Sequence, residues 1–455
     1  MIKFSLEEIS YTVDGELFGK NTLIEEISIN SKNIKKNRNF LFIAVKGEKK
    51  DGHDYIKEAI YMGAKAIISE KIIKFSIPYI LVSSTKNAIC RITKKILHKT
   101  GIKIIAITGS SGKTSVKEIS NFILKNEKKS IATKKNFNNK IGIFLSVLRI
   151  KKNHKIIILE IGANHFKEIL EIRKFISPNI VVINNIHHSH ILGFKNISGV
   201  AKAKSEILKN LSKDTKVVLN ADSANLQKWK KYLKNKKVFM FSIKKKSDFF
   251  AKKIKISQFS INFVLYVKNK KYTVFIPIIG GLHSVSNVLA AVAICYLCDV
   301  KMQKIIFYLR YLKPVPNRLF PIFLKKKFLI LDDTYNANFE SVISSLDVLN
   351  RFSRKKIFIF GDMKELGEYK YILHKKIGMY LLKKNINLVF TLGKLSNLVS
   401  MWHKNGMHFT KREELLKNLL IKLKNFSNFV ILIKGSRKMK MEKIVEFLKN
   451  WIQNE

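Results

Sequence analysis

One stretch constrains this chain more than any other. Ile104-Ile105-Ala106-Ile107 is a short apolar run, mostly β-branched, with the composition of a buried strand. It leads into Thr108-Gly109-Ser110-Ser111-Gly112-Lys113-Thr114-Ser115 and then into Val116-Lys117-Glu118-Ile119, which begins a helix. Strand, glycine turn and helix N-terminus in that order form an anion cradle. Glycines let backbone N–H groups converge, and the helix dipole adds attraction. In such a loop Lys113 reaches the outer phosphates of a nucleotide and Thr114 offers its hydroxyl to Mg²⁺. The match to G-x-x-x-x-G-K-[ST] is incomplete, because Ile107 stands where the pattern has Gly. The plainer alternative is a Gly/Ser turn in an ordinary βα unit, but the flanking strand and helix favour phosphate binding.

A length of 455 residues suggests two to four domains. No stretch reaches the ~18 uninterrupted apolar residues of a membrane helix, and the longest candidate, Val288 to Cys298, is too short. The first residues, Met1 to Glu8, carry acid early and lack a signal peptide's apolar core, so a cytoplasmic protein without a membrane span is expected. Cys90, Cys295 and Cys298 make no disulfide framework. The C-x-x-C of Cys295 and Cys298 lies in the apolar run Ala290–Cys298, which reads as buried helix rather than a metal or redox site. The net charge of +53 would suggest a nucleic-acid binder. The lysines, however, are scattered through every element rather than gathered in one block, so no specific nucleic-acid partner is expected. A basic surface would still attract anionic substrates.

In chain order, residues 1–100 read as a small α/β module. Phe40–Val45, Ala66–Ile68 and Tyr79–Val82 are its strands, Lys46–Asp54 a polar loop and Tyr55–Met62 a helix. Residues 101–312 alternate strands (155–160, 180–184, 216–219) with helices, the pattern of a mostly parallel sheet with helices on both faces. Ligands in such sheets sit beyond the carboxyl ends of the strands. The residues there are Glu160, Asn184-Asn185 and Asn220-Ala221-Asp222. Glu160 is placed to hold Mg²⁺, or equally to serve as a helix cap. His190 could complete a metal shell or simply be solvated, and Lys204 is one more helix lysine. His283 and Asn287 share one helix face. Pro314 and Pro316 mark a break, after which residues 313–455 carry four strand-then-polar-turn units, a third α/β domain. Asp333, at the end of the first of these strands, could accept from a ribose hydroxyl.

With these residues in place the chain resembles the Mur ligase family. The pieces that carry the likeness are T-G-S-S-G-K-T at 108–114, N-F-N-N-K-I-G at 136–142, E-I-G-A-N-H at 160–165, A-K-A-K-S-E-I at 201–207, D-D-T-Y-N-A-N at 332–338, G-D-M-K-E-L-G at 361–367 and K-G-S-R at 434–437. D-G-H-D-Y-I-K-E-A at 51–59 fits the family's UDP-sugar-binding domain. The resemblance implies three domains: a UDP-binding module at 1–100, a central ATP-binding domain at 101–312 and a Rossmann-like C-terminal domain at 313–455 that completes the ATP and D-alanyl-D-alanine site. It also implies that a monomer uses ATP and two Mg²⁺ ions to join D-alanyl-D-alanine to UDP-N-acetylmuramoyl-tripeptide through an acyl phosphate. Carried over by position, Thr108, Gly109, Ser110, Ser111, Gly112, Lys113, Thr114, Asn287, Arg318 and Asp333 hold ATP. Ser31, Asn138, Asn139 and Asn336 face the substrate. Thr114, Glu160, His190 and a carbamoylated Lys204 take the metal, and Lys113, Glu160, His190 and Lys204 serve catalysis. The chain departs from the family pattern at Asn30-Ser31-Lys32, Phe166-Lys167, Ile191-Leu192 and Phe339.

Overall fold

The structure is a computed structural model that describes residues 3–34, 38–47, 50–134, 136–324, 328–424 and 426–454. Glu48 and Lys49, in the expected polar loop of the first module, lie outside the described residues. The chain forms two compact units. One comprises Met1–Ala106, Lys125–Gly162 and Leu170–Asn179; the other comprises Ile107–Leu124, Ala163–Ile169 and Ile180–Glu455.

The first unit contains a five-stranded sheet in the order Glu16–Phe18, Tyr79–Leu81, Ala64–Ser69, Phe40–Ile43, Glu26–Ser28. Only its edge strand Glu16–Phe18 is antiparallel. Phe40–Ile43 is buried at all four residues, so it reads as a continuous apolar run rather than an alternation. The helix Thr85–Thr100 starts where the Ser84 side chain accepts from the Asn87 amide. It ends at Gly101 in the left-handed region. The expected helix at 55–62 is shorter, Ile56–Tyr61, because Gly52–Tyr55 winds into a 3₁₀ turn capped by Asp51. This unit also holds the parallel pair Ser130–Ala132 and Ile156–Glu160, and the helix Lys140–Val147, capped by Asn139.

The second unit holds two sets of strands. Ile180–Ile183, Lys216–Asn220 and Lys237–Ser242 run parallel, extended by Phe249–Ile256 and the antiparallel ribbon Ile261–Val267 and Lys270–Ile276. The second set is a six-stranded sheet in the order Phe320–Leu324, Phe328–Asp333, Phe429–Lys434, Lys355–Gly361, Leu388–Leu392, Gly406–Phe409. Four of these strands are apolar enough to read from sequence. The other two, Phe320–Leu324 and Gly406–Phe409, are edge strands with few fully buried positions, and periodicity misses such strands. Apolar helix faces cover both sides of this sheet. The glycine-loop helix begins at Lys113, three residues before Val116, and runs to Lys128. Leu282–Leu297 is a nearly all-apolar helix in which Cys295 is fully buried; Cys298 just beyond it is buried too. Among the described residues no helix is long and apolar enough to cross a membrane.

Candidate functional site

The strand Lys103–Thr108 delivers the chain into the loop, with Thr108 fully buried. Gly109 (φ +144°) and Gly112 (φ +77°) take backbone conformations that side chains resist. At Gly112 space is also lacking, because a Cβ would collide with Asn287 Oδ1 and Asn184 Nδ2. The loop is braced by the end of strand Ile180–Ile183. The Ser110 and Ser111 amides donate to Asn185 O (3.0 Å) and Asn185 Oδ1 (2.8 Å). Asn184 Nδ2 donates to Ser111 O (2.9 Å) and to Asn287 Oδ1 (2.8 Å). Asn287 therefore lies against the loop at Gly112. Lys113 Nζ curls into the loop and donates to Gly109 O (2.7 Å) and Ser110 O (3.3 Å).

Two residues from beyond the Pro314–Pro316 break reach the same loop. Arg318 Nη2 donates to Thr114 Oγ1 at 3.3 Å, its guanidinium stacked 3.9 Å from the Tyr335 ring centroid. Asn338 caps the helix Phe339–Asn350 with its Oδ1 and donates from Nδ2 to Ser111 Oγ at 2.9 Å. Among the described residues, two buried polar atoms here, Asn184 Oδ1 and Arg318 Nε, have no hydrogen-bond partner. Buried polar groups without partners are rare. A helix N-terminus, one lysine and one arginine with an unspent Nε–H donor together fit a polyphosphate; Asn184 Oδ1, an acceptor, suits a cation or a donor instead.

Asp333 and Asn336 lie close by in the same loop region. Asp333 Oδ2 accepts from the buried Lys434 at 2.6 Å, with Ser345 Oγ also 2.6 Å away. Lys434 donates as well to Asn336 O (3.1 Å).

The segment after strand Ile180–Ile183 carries three histidines. His190 has φ +52°, a left-handed conformation uncommon outside glycine, and such outliers cluster at functional sites. Its Nδ1 pairs with Glu365 Oε2 at 2.6 Å, and Leu192 N donates to Glu365 O at 3.0 Å. The His190 hydrogen bond holds the Glu365 carboxyl below its usual range. A carboxylate on one ring nitrogen orients a metal-binding histidine and leaves Nε2 for the ion. His188 Nδ1 pairs likewise with Glu340.

Lys204 is 1% exposed. Its amine donates to Ala163 O at 3.3 Å and stands 5.5 Å from the Phe194 ring centroid. Burial, with the nearby Lys113 charge, pulls it down to about 7 against the opposing fields of Glu168 and Glu206. The turn above it is tight: a Cβ at Gly193 would collide with Asn164 O.

In the first unit, Glu160 ends its strand 1% exposed, with its Oε1 accepting from Asn138 Nδ2 at 3.2 Å. Asn139 caps the helix Lys140–Val147 through Gly142 N (2.9 Å). Ser31, buried, donates to Glu58 Oε2 at 3.1 Å. Among the described residues no group of three or more His, Cys, Asp or Glu side chains is gathered for a metal. Taken unit by unit the donor types nevertheless suit Mg²⁺: in the second, Thr114 offers a hydroxyl oxygen and His190 has its other nitrogen turned to a carboxylate, and in the first, Glu160 offers a carboxylate.

The second unit thus brings together the loop residues, Asn287 and Arg318, with Asp333 and Asn336 in the adjoining loop. The charge of Lys113 is felt at Lys204, and His190 pairs with Glu365. Sequence reasoning quoted the motifs holding Lys434 and Glu365 without giving either residue a role. The available signal was that Lys434 ends its strand and Glu365 stands four residues past the end of another. Glu340 carried no signal at all.

Comparison with known proteins agrees along the whole chain. Residues 23–108 match the Mur ligase family catalytic domain, 107–295 the Mur ligase middle domain and 318–437 the Mur ligase glutamate ligase domain. The UDP-N-acetylmuramoyl-tripeptide–D-alanyl-D-alanine ligase of Buchnera aphidicola subsp. Acyrthosiphon pisum is 40% identical over 453 residues, 98% of each chain. The enzyme of the same name from Escherichia coli K12 is 32% identical, covering 98% of this chain and 99% of its own. The crystal structure of MurF from Acinetobacter baumannii superposes with a TM-score of 0.93 at 26% identity over 99% of both chains. MurF from Thermotoga maritima in complex with ADP gives 0.84 at 28% identity, covering 94% of this chain and 98% of its own. With all three family domains matched in order and close relatives aligned end to end, the chain belongs to the Mur ligase family.

Proposed function

We propose that the chain is the ATP-dependent ligase that joins D-alanyl-D-alanine to UDP-N-acetylmuramoyl-tripeptide in peptidoglycan precursor synthesis. The names of its 40% and 32% identical relatives support this reading. The observation that carries it is the convergence of Lys113 and Arg318 on one glycine loop, with the buried, low-pKa Lys204 nearby. We assign UDP-sugar binding to residues 1–100, ATP binding to 101–312 and completion of the ATP and D-alanyl-D-alanine site to 313–455. We take the working unit to be a monomer. A cytoplasmic location follows from the need for ATP and a UDP-linked substrate.

The tripeptide's terminal carboxylate attacks the γ-phosphorus of ATP, giving an acyl phosphate and ADP. The amine of D-alanyl-D-alanine then attacks the acyl carbon, the amide forms and inorganic phosphate leaves with its electron pair. The obstacle is repulsion between a carboxylate and a polyanion. Lys113 and Arg318 lower it, as preorganised positive charge in a water-poor site does. Asn184, Asn185 and Asn287 hold the loop that aims the phosphate, and Asp333 takes a ribose hydroxyl. Ser31, Asn138, Asn139 and Asn336 serve the substrate side. Thr114, Glu160, His190 and Lys204 would hold Mg²⁺, which supplies further charge neutralisation at the transferring phosphoryl group.

Lys204 fits a hard cation only after modification, since an amine is a poor Mg²⁺ ligand and a carbamate a good one. Its neutral amine adds CO₂ through nitrogen and releases a proton. A lysine near 7 has the free lone pair this needs at neutral pH.

With Mg-ATP, D-alanyl-D-alanine and UDP-N-acetylmuramoyl-tripeptide, phosphate is released only when all three are present. Release that needs only RNA, or none with the full mixture, overturns the reading.

A further inference from the structure

Lys434 closes the strand Phe429–Lys434, opposite Asp333 on the parallel strand Phe328–Asp333. It is 2% exposed, and an ammonium so buried is costly unless paired and hydrogen-bonded. Its two contacts are Asp333 Oδ2 (2.6 Å) and Asn336 O (3.1 Å). The loop it grips is tied at both ends as well. At the start, Asn317 Nδ2 donates to Asp332 Oδ2 (3.0 Å) and Thr334 Oγ1 (3.2 Å). At the end, Asn338 Nδ2 donates to Ser111 Oγ of the phosphate loop (2.9 Å). In the middle, Tyr335 supports the Arg318 guanidinium that reaches Thr114.

We propose that Lys434 is a positioning residue for the nucleotide. By taking Oδ2 it leaves Oδ1 as the acceptor Asp333 turns toward a ribose. Lys434 touches no substrate itself. It acts through Asp333, and the proposal rests on the ATP-ligase reading above.

Calorimetric titration of Mg-ADP into the wild type, Lys434→Met, Asp333→Asn and the double variant tests this. Lys434→Met should weaken binding roughly tenfold, the scale of a lost charged hydrogen bond. The loss should be smaller with Mg-2′,3′-dideoxy-ADP, which lacks the hydroxyls Asp333 would take. A purely structural lysine would weaken both nucleotides alike. In the Asp333→Asn background, Lys434→Met should weaken binding little further. Should the single variant not fold, the double variant against Asp333→Asn alone carries the test: equal affinity supports the proposal, and a further tenfold or so loss overturns it. A wild type that fails to bind Mg-ADP overturns the ATP reading. A wild type that binds beside a Lys434→Met variant of equal affinity, or one that weakens binding of both nucleotides equally, overturns the role of Lys434 alone.

Discussion

Lys204 and Lys434 are almost equally buried, at 1% and 2% exposure, yet only Lys434 has a carboxylate in hydrogen-bond contact. Lys434 has a carboxylate at 2.6 Å, and although burial lowers its pKa, Asp333 opposes the shift. Lys204 has a carbonyl at 3.3 Å and an aromatic ring, and burial with the repelling charge of Lys113 outweighs the fields of Glu168 and Glu206 and drops it to about 7. Burial alone therefore does not decide what a lysine does. The partner makes one a fixed cation that orders a loop, and its lack leaves the other an amine with a usable lone pair.

Four measurements would break or sharpen that contrast. The largest effect is on stability. Lys434→Met leaves Asp333 buried and unpaired and should cost about 3–5 kcal/mol in denaturant unfolding, much of it recovered in the Asp333→Asn/Lys434→Met pair. An undiminished midpoint would mean the pair is not the anchor its geometry suggests. Lys204→Met should do the reverse: turnover falls on the order of 10²–10³-fold with little loss of stability, because no buried charge is stranded. Normal phosphate release by that variant would remove the carbamate. A third pair lies between these extremes. Glu365→Gln weakens the hold on the His190 ring and should raise the Mg²⁺ needed for half-maximal rate by roughly 10–100-fold, as loss of an outer-sphere carboxylate does. An unchanged Mg²⁺ titration would take His190 out of the metal site.

The smallest effect is a pH dependence. Lys204 is lowered to about 7 in the fold from 10.5, so its amine is protonated below about 7. Turnover should fall as pH drops through that value, and added bicarbonate should raise the rate on the acid side by a few-fold, roughly. The linkage has the matching sign. Between about 7 and 10.5 the unfolded chain binds a proton that the folded one does not, so this lysine's contribution to stability rises with pH. Thermal melts of Lys204→Met against pH should lose that slope.

Much of the framework was legible beforehand, for identifiable reasons. Strands such as Ile180–Ile183 and Phe429–Lys434 are buried along their length, so they appear as unbroken apolar runs ending in polar residues. The glycine loop announced itself because φ near +77° at Gly112 admits few other residues. The edge strands Phe320–Leu324 and Gly406–Phe409 and the ribbon Phe249–Ile276 escaped notice. Their half-solvated faces carry apolar residues too, as in Ile261–Val267, so the two-residue alternation seen in burial is blurred in the sequence. Asn287 was placed with His283 on one helix face, and the family resemblance gave it a role toward ATP, but its contact with Asn184 beneath Gly112 could not be read from spacing.

By itself, the sequence determined the α/β pattern, the anion-binding loop and the run of motifs that mark a Mur ligase. These are local properties, set by periodicity, glycine placement and the residue following each strand. Only the tertiary structure decided which of 86 basic residues matter. Lys204 looked like any helix lysine until packing removed its water. Lys434 meets Asp333 across 101 residues of chain, and His190 meets Glu365 across 175, through strand register and loop closure. A charge's role depends on its solvent and its partners, and both are supplied by distant segments that no local reading of the chain brings together.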